Sequence, residues 1–395
     1  MFEYVENERK IKEAEIVVGI ASYNEADAIS YPTHQADLGL QKYFPGKKCA
    51  ILNCDNHSPD ATKDAFLGTQ TETPKIFVST PPDTPGKGYN FENMFRKTHE
   101  LGAKKIICVD ADLESITPEW IKHFTDPLEK GYDYVTPVYA RHKYDGTITN
   151  NICYPLVYGL LNMNIRQPIG GDFALSQDLA DYLILQPWHR TTEQYGIDIF
   201  LSMNAILGGF KVAQTGLGAK IHKPSAPKLG PMFLQVVGTA FLTILKNLDT
   251  WKDRESIQET EMFGLQKMEK AQDLDMDREA IKQKAIKGFN LQKAQIKKNL
   301  KPETCETLEA MFEKQEIVIT DDLWINIVYE MMASFKTASD RVALTESLRP
   351  LYFGRAFTFM NDTWEMDTPE AENVILEQAV KFNKRRSYLI DLLSA

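Results

Sequence analysis

Four short apolar runs, each closing on a cluster of polar residues, limit the fold of this chain more than any other feature. Ile16 to Ala21 (IVVGIA) is β-branched, and a polar, alanine-containing segment from Asn24 follows it as a helix would. Cys49 to Leu52 runs into Asp55-Asn56-His57-Ser58-Pro59-Asp60. Ile76 to Val78 leads to Pro85-Gly86-Lys87-Gly88 and a helical pattern through Leu101. Ile106 to Val109 ends at Asp110-Ala111-Asp112. Strands that alternate with helices at this spacing build βαβ units and a mostly parallel sheet. Ligands of such sheets bind beyond the carboxyl ends of the strands, where these polar clusters fall.

The texture changes near residue 231. Pro231 to Trp251 reads as one long, mostly apolar helix, and Lys252 to Lys301 as an amphipathic helical stretch with a solvated face. Further helical segments follow the Lys301-Pro302 break. The expected division is an α/β domain over 1–230 and an all-helical domain over 231–395. Two or three domains also fit 395 residues at roughly 150 residues each. Trp324, Trp364 and Arg349-Pro350-Leu351-Tyr352-Phe353 read as core anchors. The helical part offers a surface for a homodimer.

A net charge of -10 gives no support to electrostatic binding of nucleic acid. The five cysteines are irregularly spaced and lack a Cys-x-x-Cys pair, which reads as buried thiols in a reducing cytoplasm. Met232 to Leu245, with Gln235 and Gly238 inside it, is shorter than the roughly 20 residues of a membrane span. The N-terminus is too polar for a secretory signal. A cytoplasmic protein is expected.

Two carboxylates one residue apart at the end of a buried strand are costly unless neutralised. For Asp110 and Asp112 a hard divalent cation, Mg2+ or Mn2+, would do this and could bridge diphosphate oxygens; a solvated acidic turn is the alternative. In Pro85-Gly86-Lys87-Gly88 the glycines let backbone N–H groups approach an anion and Lys87 adds a point charge, although a plain turn fits as well. Asp55 can accept hydrogen bonds from a base or ribose, while Ser58 or Asp60 can cap the helix that follows. Gln167-Pro168-Ile169-Gly170-Gly171-Asp172 carries paired glycines that would allow a sugar close to the backbone. Asp198, in Tyr195-Gly196-Ile197-Asp198, opens an apolar helical pattern and suits a helix N-terminus. His222, in Gly218-Ala219-Lys220-Ile221-His222, is either structural or a metal ligand.

In this order the six pieces resemble the GT-A glycosyltransferases. Ala21-Ser22-Tyr23-Asn24-Glu25 with Asp55 to Thr62 is similar to the nucleotide-binding half of the family-2-like group. PGKGYN, DADLESITPEW, QPIGGDF, YGID and GAKIH resemble mannosylglycerate synthase and glucosyl-3-phosphoglycerate synthase, retaining enzymes whose products serve as compatible solutes. The resemblance covers roughly Ile16 to Trp251 and implies a GT-A fold with Mn2+ or Mg2+ as cofactor. The donor would be a nucleotide-diphosphate sugar carrying glucose or mannose, and the acceptor a small anion such as D-glycerate or 3-phosphoglycerate. By the same resemblance Asp112 and His222 would ligate the metal, and Asp110 would face the ribose or the metal's surroundings. Ala21, Tyr23, Asn24, Glu25, Asp55 and Ala111 would bind the nucleotide, and Lys87 the donor phosphates. Gln167, Gly170, Gly171 and Asp172 would hold the hexose. Asp198 would sit near the anomeric centre and the acceptor, with Gly170 beside it. Arg141 and Thr147, helped by Lys143, would bind the acceptor carboxylate.

The catalytic residues implied are Asp198, Asp112 and Lys87. Asp198 is the acid expected near the sugar, with Asp172, which follows a glycine turn, as a second candidate; the resemblance implies same-face attack, the leaving phosphate helping to take the acceptor proton. Two other readings remain. A sugar-phosphate nucleotidyltransferase would need an N-terminal G-x-G-T-R-type loop, which Ile20-Ala21-Ser22-Tyr23 does not resemble. A non-catalytic sugar-nucleotide-binding protein would not need the acidic pair and His222. The Gln-x-x-Arg-Trp signature of processive inverting synthases is absent.

Overall fold

A computed structural model describes residues 2–221, 223, 229–266, 271, 274 and 276–394. The chain divides into two compact units. One comprises Met1–Ala140, Ile169–Lys228 and Thr260–Ala271; the other comprises Arg141–Pro168, Leu229–Glu259 and Gln272–Ala395.

In the first unit the apolar runs become strands. The elements in chain order are β1 (Tyr4–Glu6), β2 (Ile16–Ser22), α1 (Ser30–Tyr43), β3 (Cys49–Asp55), α2 (Thr62–Gly68), β4 (Lys75–Ser79), α3 (Lys87–Glu100), β5 (Lys105–Asp110), α4 (Pro118–Glu129) and β6 (Tyr134–Ala140). The second unit interposes α5 (Tyr154–Leu161) and β7 (Met163–Asn164). The first then resumes with β8 (Phe173–Ser176), α6 (Gln177–Ile184), α7 (Ile197–Leu207) and β9 (Val212–Ala219). After α8 (Leu229–Lys246), α9 (Leu248–Trp251) and β10 (Gln258–Glu259) comes β11 (Glu261–Gly264). Among the described residues β7 pairs separately with β10, and the other nine strands form one sheet in the order β1-β4-β3-β2-β5-β8-β6-β9-β11. It is parallel except where β1 meets β4 and where β8 lies between β5 and β6. The expected mostly parallel α/β region is therefore present.

The parallel strands are apolar on both faces, as a sheet covered on both sides requires. Ile16, Val18 and Ile20 of β2 and Ile107 and Val109 of β5 pack with Ala36 and Leu40 of α1 and with Trp120, Ile121 and Phe124 of α4, all nearly inaccessible to solvent. Pro118 opens α4 at a position where its missing N–H costs nothing.

The second unit is helical: α8, α10 (Arg278–Asn299), α11 (Pro302–Glu313), α12 (Asp321–Thr337), α13 (Arg341–Asp362), α14 (Thr368–Lys384) and α15 (Arg386–Ser394). Thr320, Asp340 and Asp367 cap α12, α13 and α14 through their side chains, and Asp367 with Glu370 forms a reciprocal capping box. Trp324 is fully buried, whereas Trp364 is 39% exposed and is no core anchor.

Two local expectations change. Lys252 to Lys301 is not one amphipathic helix, since β10 and β11 precede α10. Glu261–Gly264 pairs with β9, and Phe263 buries its ring edge-on against Tyr132 at 5.5 Å. A three- and four-residue spacing of apolar residues cannot register such a long-range edge pairing. Pro231 to Trp251 is likewise two helices, broken at Asn247. The cysteines are free thiols, four buried and Cys49 half-buried. Among the described residues no helix is long and apolar enough to cross a membrane.

Candidate functional site

Strand register sets the first row of the site. Ser22 lies opposite Asp55 across β2 and β3, and Ala21 lies opposite Asp110 across β2 and β5. The motif residues that end these strands are therefore side by side at the carboxyl edge of the sheet.

Five charged side chains converge beyond β5. Lys87, the first residue of α3, sets its Nζ 2.8 Å from Asp110 Oδ1 and 3.4 Å from Asp198 Oδ1. Asp198 sits in the first turn of α7. Lys220, just past β9, places its Nζ 2.9 Å from Asp110 Oδ2 and 2.7 Å from Asp172 Oδ2, and donates to Gly170 O at 3.0 Å. Asp172 is fully buried, accepts the Asp110 backbone N–H at 2.8 Å and also accepts from the Tyr139 hydroxyl. Two ammonium groups thus face three carboxylates in a place largely withdrawn from water.

The electrostatics follow from that arrangement. Burial favours the neutral form of Lys87, but the carboxylates of Asp110 and Asp198 outweigh it and raise its pKa, so it stays charged. Lys220 is held charged in the same way by Asp110 and Asp172 against its burial. Burial would push Asp110 up, yet Lys220 and Lys87 together bring its carboxyl well below the usual range. Asp198 goes the other way: burial raises its pKa and the Coulomb attraction of Lys87 does not compensate.

The loop after β2 is pinned by side chains. Asn24 takes a left-handed conformation, φ 58°, and donates its backbone N–H to Ser58 Oγ; Glu25 N–H goes to Thr62 Oγ1. Lys223 lies 2.7 Å from Glu25 and 2.6 Å from Asp27. Tyr23 is left half exposed beside this rigid turn. Asp55 is 2% exposed and accepts from Ser22 Oγ, Ser58 Oγ and Ser58 N–H, so it shapes the turn that follows β3.

The glycines serve packing. A Cβ on Gly86 would fall 2.1 Å from Glu193 O, and one on Gly88 2.2 Å from Thr192 O, so both glycines admit the 192–193 backbone rather than an anion. A Cβ on Gly170 would fall 2.2 Å from Pro137 Cγ. Gly171, φ +87°, would drive a Cβ to 2.5 Å from Asp110 Oδ2 and 2.6 Å from Lys220 Nζ. Gly171 thus makes room for the charged cluster itself.

Asp112 is partly exposed on the turn after β5, and Ala111 is buried. Glu114 N–H donates to Ile221 O and Ile221 N–H to Ser115 Oγ, both at 2.9 Å, which holds Ile221 beside the D-x-D turn. His222 lies outside the described residues. Among those described, no three His, Cys, Asp or Glu side chains gather as a metal cage. Mg2+ takes one or two carboxylates and completes its shell with substrate phosphates and water, so a partly exposed Asp112 suits that ion. Asp110, already held by two ammonium groups, does not offer itself in the same way.

Arg141, Lys143, Thr147 and Gln167 belong to the second unit, and Gln167 is buried there. Arg141 Nε lies 3.8 Å from Asp145, and the Thr147 hydroxyl meets that of Tyr352. Lys143 donates to three carbonyls beyond the end of α13.

Sequence reasoning missed Lys220. The signal available was a lone lysine directly after an apolar strand and two residues before His222. Its worth depends on Asp110 and Asp172 coming from two distant segments.

Comparison with known proteins gives the following similarities. Residues 60–223 match the family model described as mannosylglycerate synthase, GT domain. Mannosylglycerate synthase of Rhodothermus marinus is 26% identical over 133 residues, which are 32% of this chain and 34% of that protein, about a third of its length. Glucosyl-3-phosphoglycerate synthase of Mycobacterium tuberculosis, solved with Mn2+, uridine diphosphate and glucosyl-3-phosphoglycerate, is 22% identical, with a TM-score of 0.48. That match covers 58% of this chain and 80% of that one. The same enzyme solved with Mg2+ and uridine diphosphate is 23% identical at the same TM-score, over 58% and 79%. Over residues 60–223 the chain is thus similar to the glycosyltransferase domain of the mannosylglycerate synthase family.

Proposed function

We propose that this protein is a retaining hexosyltransferase that moves glucose or mannose from a nucleotide-diphosphate sugar to a small anionic acceptor of the glycerate type, with Mn2+ or Mg2+. One observation carries the reading: Lys87 is shared by Asp110 at the end of β5 and Asp198 at the start of α7. This puts a permanent cation between the acidic strand end and a buried carboxylate in a second helix. The family match over residues 60–223 supports it.

The chemistry follows from the residues. The departing nucleoside diphosphate gains negative charge as the glycosyl bond breaks, and Lys87, kept charged by its neighbours, is placed to stabilise it. Asp112, with His222, would hold the divalent ion, which supplies Lewis-acid stabilisation of that same charge when bound. Lys220, paired with Asp110 and Asp172, donates to Gly170 O and Lys87 to Gly171 O, which fixes the backbone against which the hexose would lie. Asp198 would face the anomeric carbon as the positive charge grows there. Asp172 is already paired with Lys220, which favours same-face attack with the leaving phosphate taking the acceptor's proton. Ala21, Tyr23, Asn24, Glu25 and Asp55 would shape the nucleotide pocket of the α/β domain, and Arg141 with Thr147 would receive the acceptor carboxylate.

The test is a matrix of sugar nucleotides against D-glycerate and 3-phosphoglycerate, each with Mn2+ or Mg2+, with product anomers assigned by NMR. Release of nucleoside diphosphate together with a product of unchanged anomeric configuration is expected. Inverted product overturns the retaining mechanism. Pyrophosphate release from a nucleoside triphosphate, or nucleotide binding without transfer to any acceptor, overturns the whole reading.

A further inference from the structure

The strip Arg141-His142-Lys143 presents two strong cations in three residues, and the structure shows what holds the second of them. Lys143 is 8% exposed, and its ammonium donates to the carbonyls of Thr363 at 2.8 Å, Trp364 at 3.1 Å and Met366 at 2.5 Å. An ammonium has three protons, and here each goes to a main-chain carbonyl just past α13, where the helix dipole presents its negative end.

The following residues repeat the attachment. Tyr144 stacks on Trp364 with ring centroids 5.9 Å apart and donates its hydroxyl to Met360 O at 3.2 Å. Gln378 of α14 donates to Asn150 O at 2.9 Å, and Trp324 of α12 donates its indole N–H to Asn151 O at 2.7 Å. The strip then runs into a π-helical turn, Thr149–Cys153, a rare conformation that is frequent at functional sites. Three helices of the same unit therefore hold one short loop, and Lys143 is its first fastening.

We propose that Lys143 is a positioning residue for the acceptor. It fastens to the end of α13 the Arg141–Thr147 loop that carries the acceptor contacts proposed above. This rests on the reading given under Proposed function. Acceptor recognition then depends on the helical segments as well as on the loop that makes the contacts.

The experiment compares wild-type protein with Lys143→Met, Lys143→Arg and Trp364→Ala. It reads donor KM, acceptor KM and kcat at saturating acceptor, with hydrogen exchange of the amides of residues 143–151 as a readout free of activity. Lys143→Met is expected to raise acceptor KM about tenfold or more, to leave donor KM unchanged and to speed exchange across the loop. Lys143→Arg should recover part of the loss. Trp364→Ala loosens the loop from the helix side, so it should raise acceptor KM in the same direction. If Lys143→Met raises acceptor KM while Trp364→Ala does not and loop exchange stays slow, Lys143 touches the acceptor itself and the positioning role is wrong. An unchanged acceptor KM in both variants also overturns it. If wild-type protein transfers no sugar to either acceptor, the functional reading fails, and the inference fails with it by a separately visible route.

Discussion

Lys87 Nζ and Asp198 Oδ1 stand 3.4 Å apart, each from the first turn of its own helix, α3 and α7. Helix N-termini favour anions, and at Asp198 the N-terminal dipole and the lysine both favour ionisation. Burial still leaves its pKa raised. This carboxylate is held where it is costly, which is common where a protein keeps a group for chemistry.

Asp198→Asn should therefore lower kcat by about a hundredfold or more with little change in donor KM, while making the fold more stable at neutral pH. A carboxyl whose folded pKa lies above 3.8 contributes stability that is complete below about pH 4 and is lost as pH rises through its folded value. The stability gap between variant and wild type should thus narrow as pH is lowered towards 4. Urea melts from pH 4 to 8 measure it, and a gap that widens at low pH contradicts the assignment.

Lys220→Met should cost about 3–5 kcal/mol of stability, because it leaves Asp110 and Asp172 without their shared cation in a buried place. Adding Asp172→Asn should recover part of that loss. Chemical denaturation of both variants checks it, and a loss under 1 kcal/mol would show that the cluster does not depend on Lys220.

Gly171→Ala should disturb the same cluster from the backbone side. The residue has φ +87°, and its new Cβ would press on Asp110 Oδ2 and Lys220 Nζ. A destabilisation of about 1–3 kcal/mol with weakened sugar-nucleotide binding is expected, measurable by thermal melts and calorimetry. Gly46→Ala, with φ +81° and nothing near the added carbon, isolates the backbone contribution.

Asp112→Ala should abolish metal-stimulated turnover, and EDTA should do the same to the wild-type protein. Calorimetry should show that uridine or guanosine diphosphate no longer binds more tightly when Mn2+ is added. Equal nucleotide affinity with and without Mn2+ in the wild type would remove Asp112 from metal binding.

The α/β order was legible because buried parallel strands are written as short β-branched runs, and Ile16–Ser22 and Lys105–Asp110 are such runs. Their polar ends marked Asp55 and Asp110 for the same reason. Other features were not written locally. The glycines around Lys87 looked like an anion cradle because the sequence does not show that the 192–193 backbone lies against them. Lys220 gained its meaning from two remote aspartates. Lys143 read as a helper for the acceptor carboxylate because its three acceptors lie some 220 residues further on. Strand β11 was hidden in a helical texture because its partner is β9, not a neighbour in sequence.

Arg141–Pro168 belongs with helices that come after residue 272, and β11 completes a sheet begun at residue 4. Neither compact unit can therefore be assembled from an uninterrupted length of polypeptide. During synthesis Tyr144, Tyr154 and the turn at Thr149–Cys153 leave the ribosome long before Phe359 and Ile375, the apolar side chains that will cover the two tyrosines. The emerging chain must carry that greasy insert uncovered until its last helices are made, a period in which it is open to aggregation and to chaperones. Coexpressed halves split at a single bond would inherit the same problem permanently.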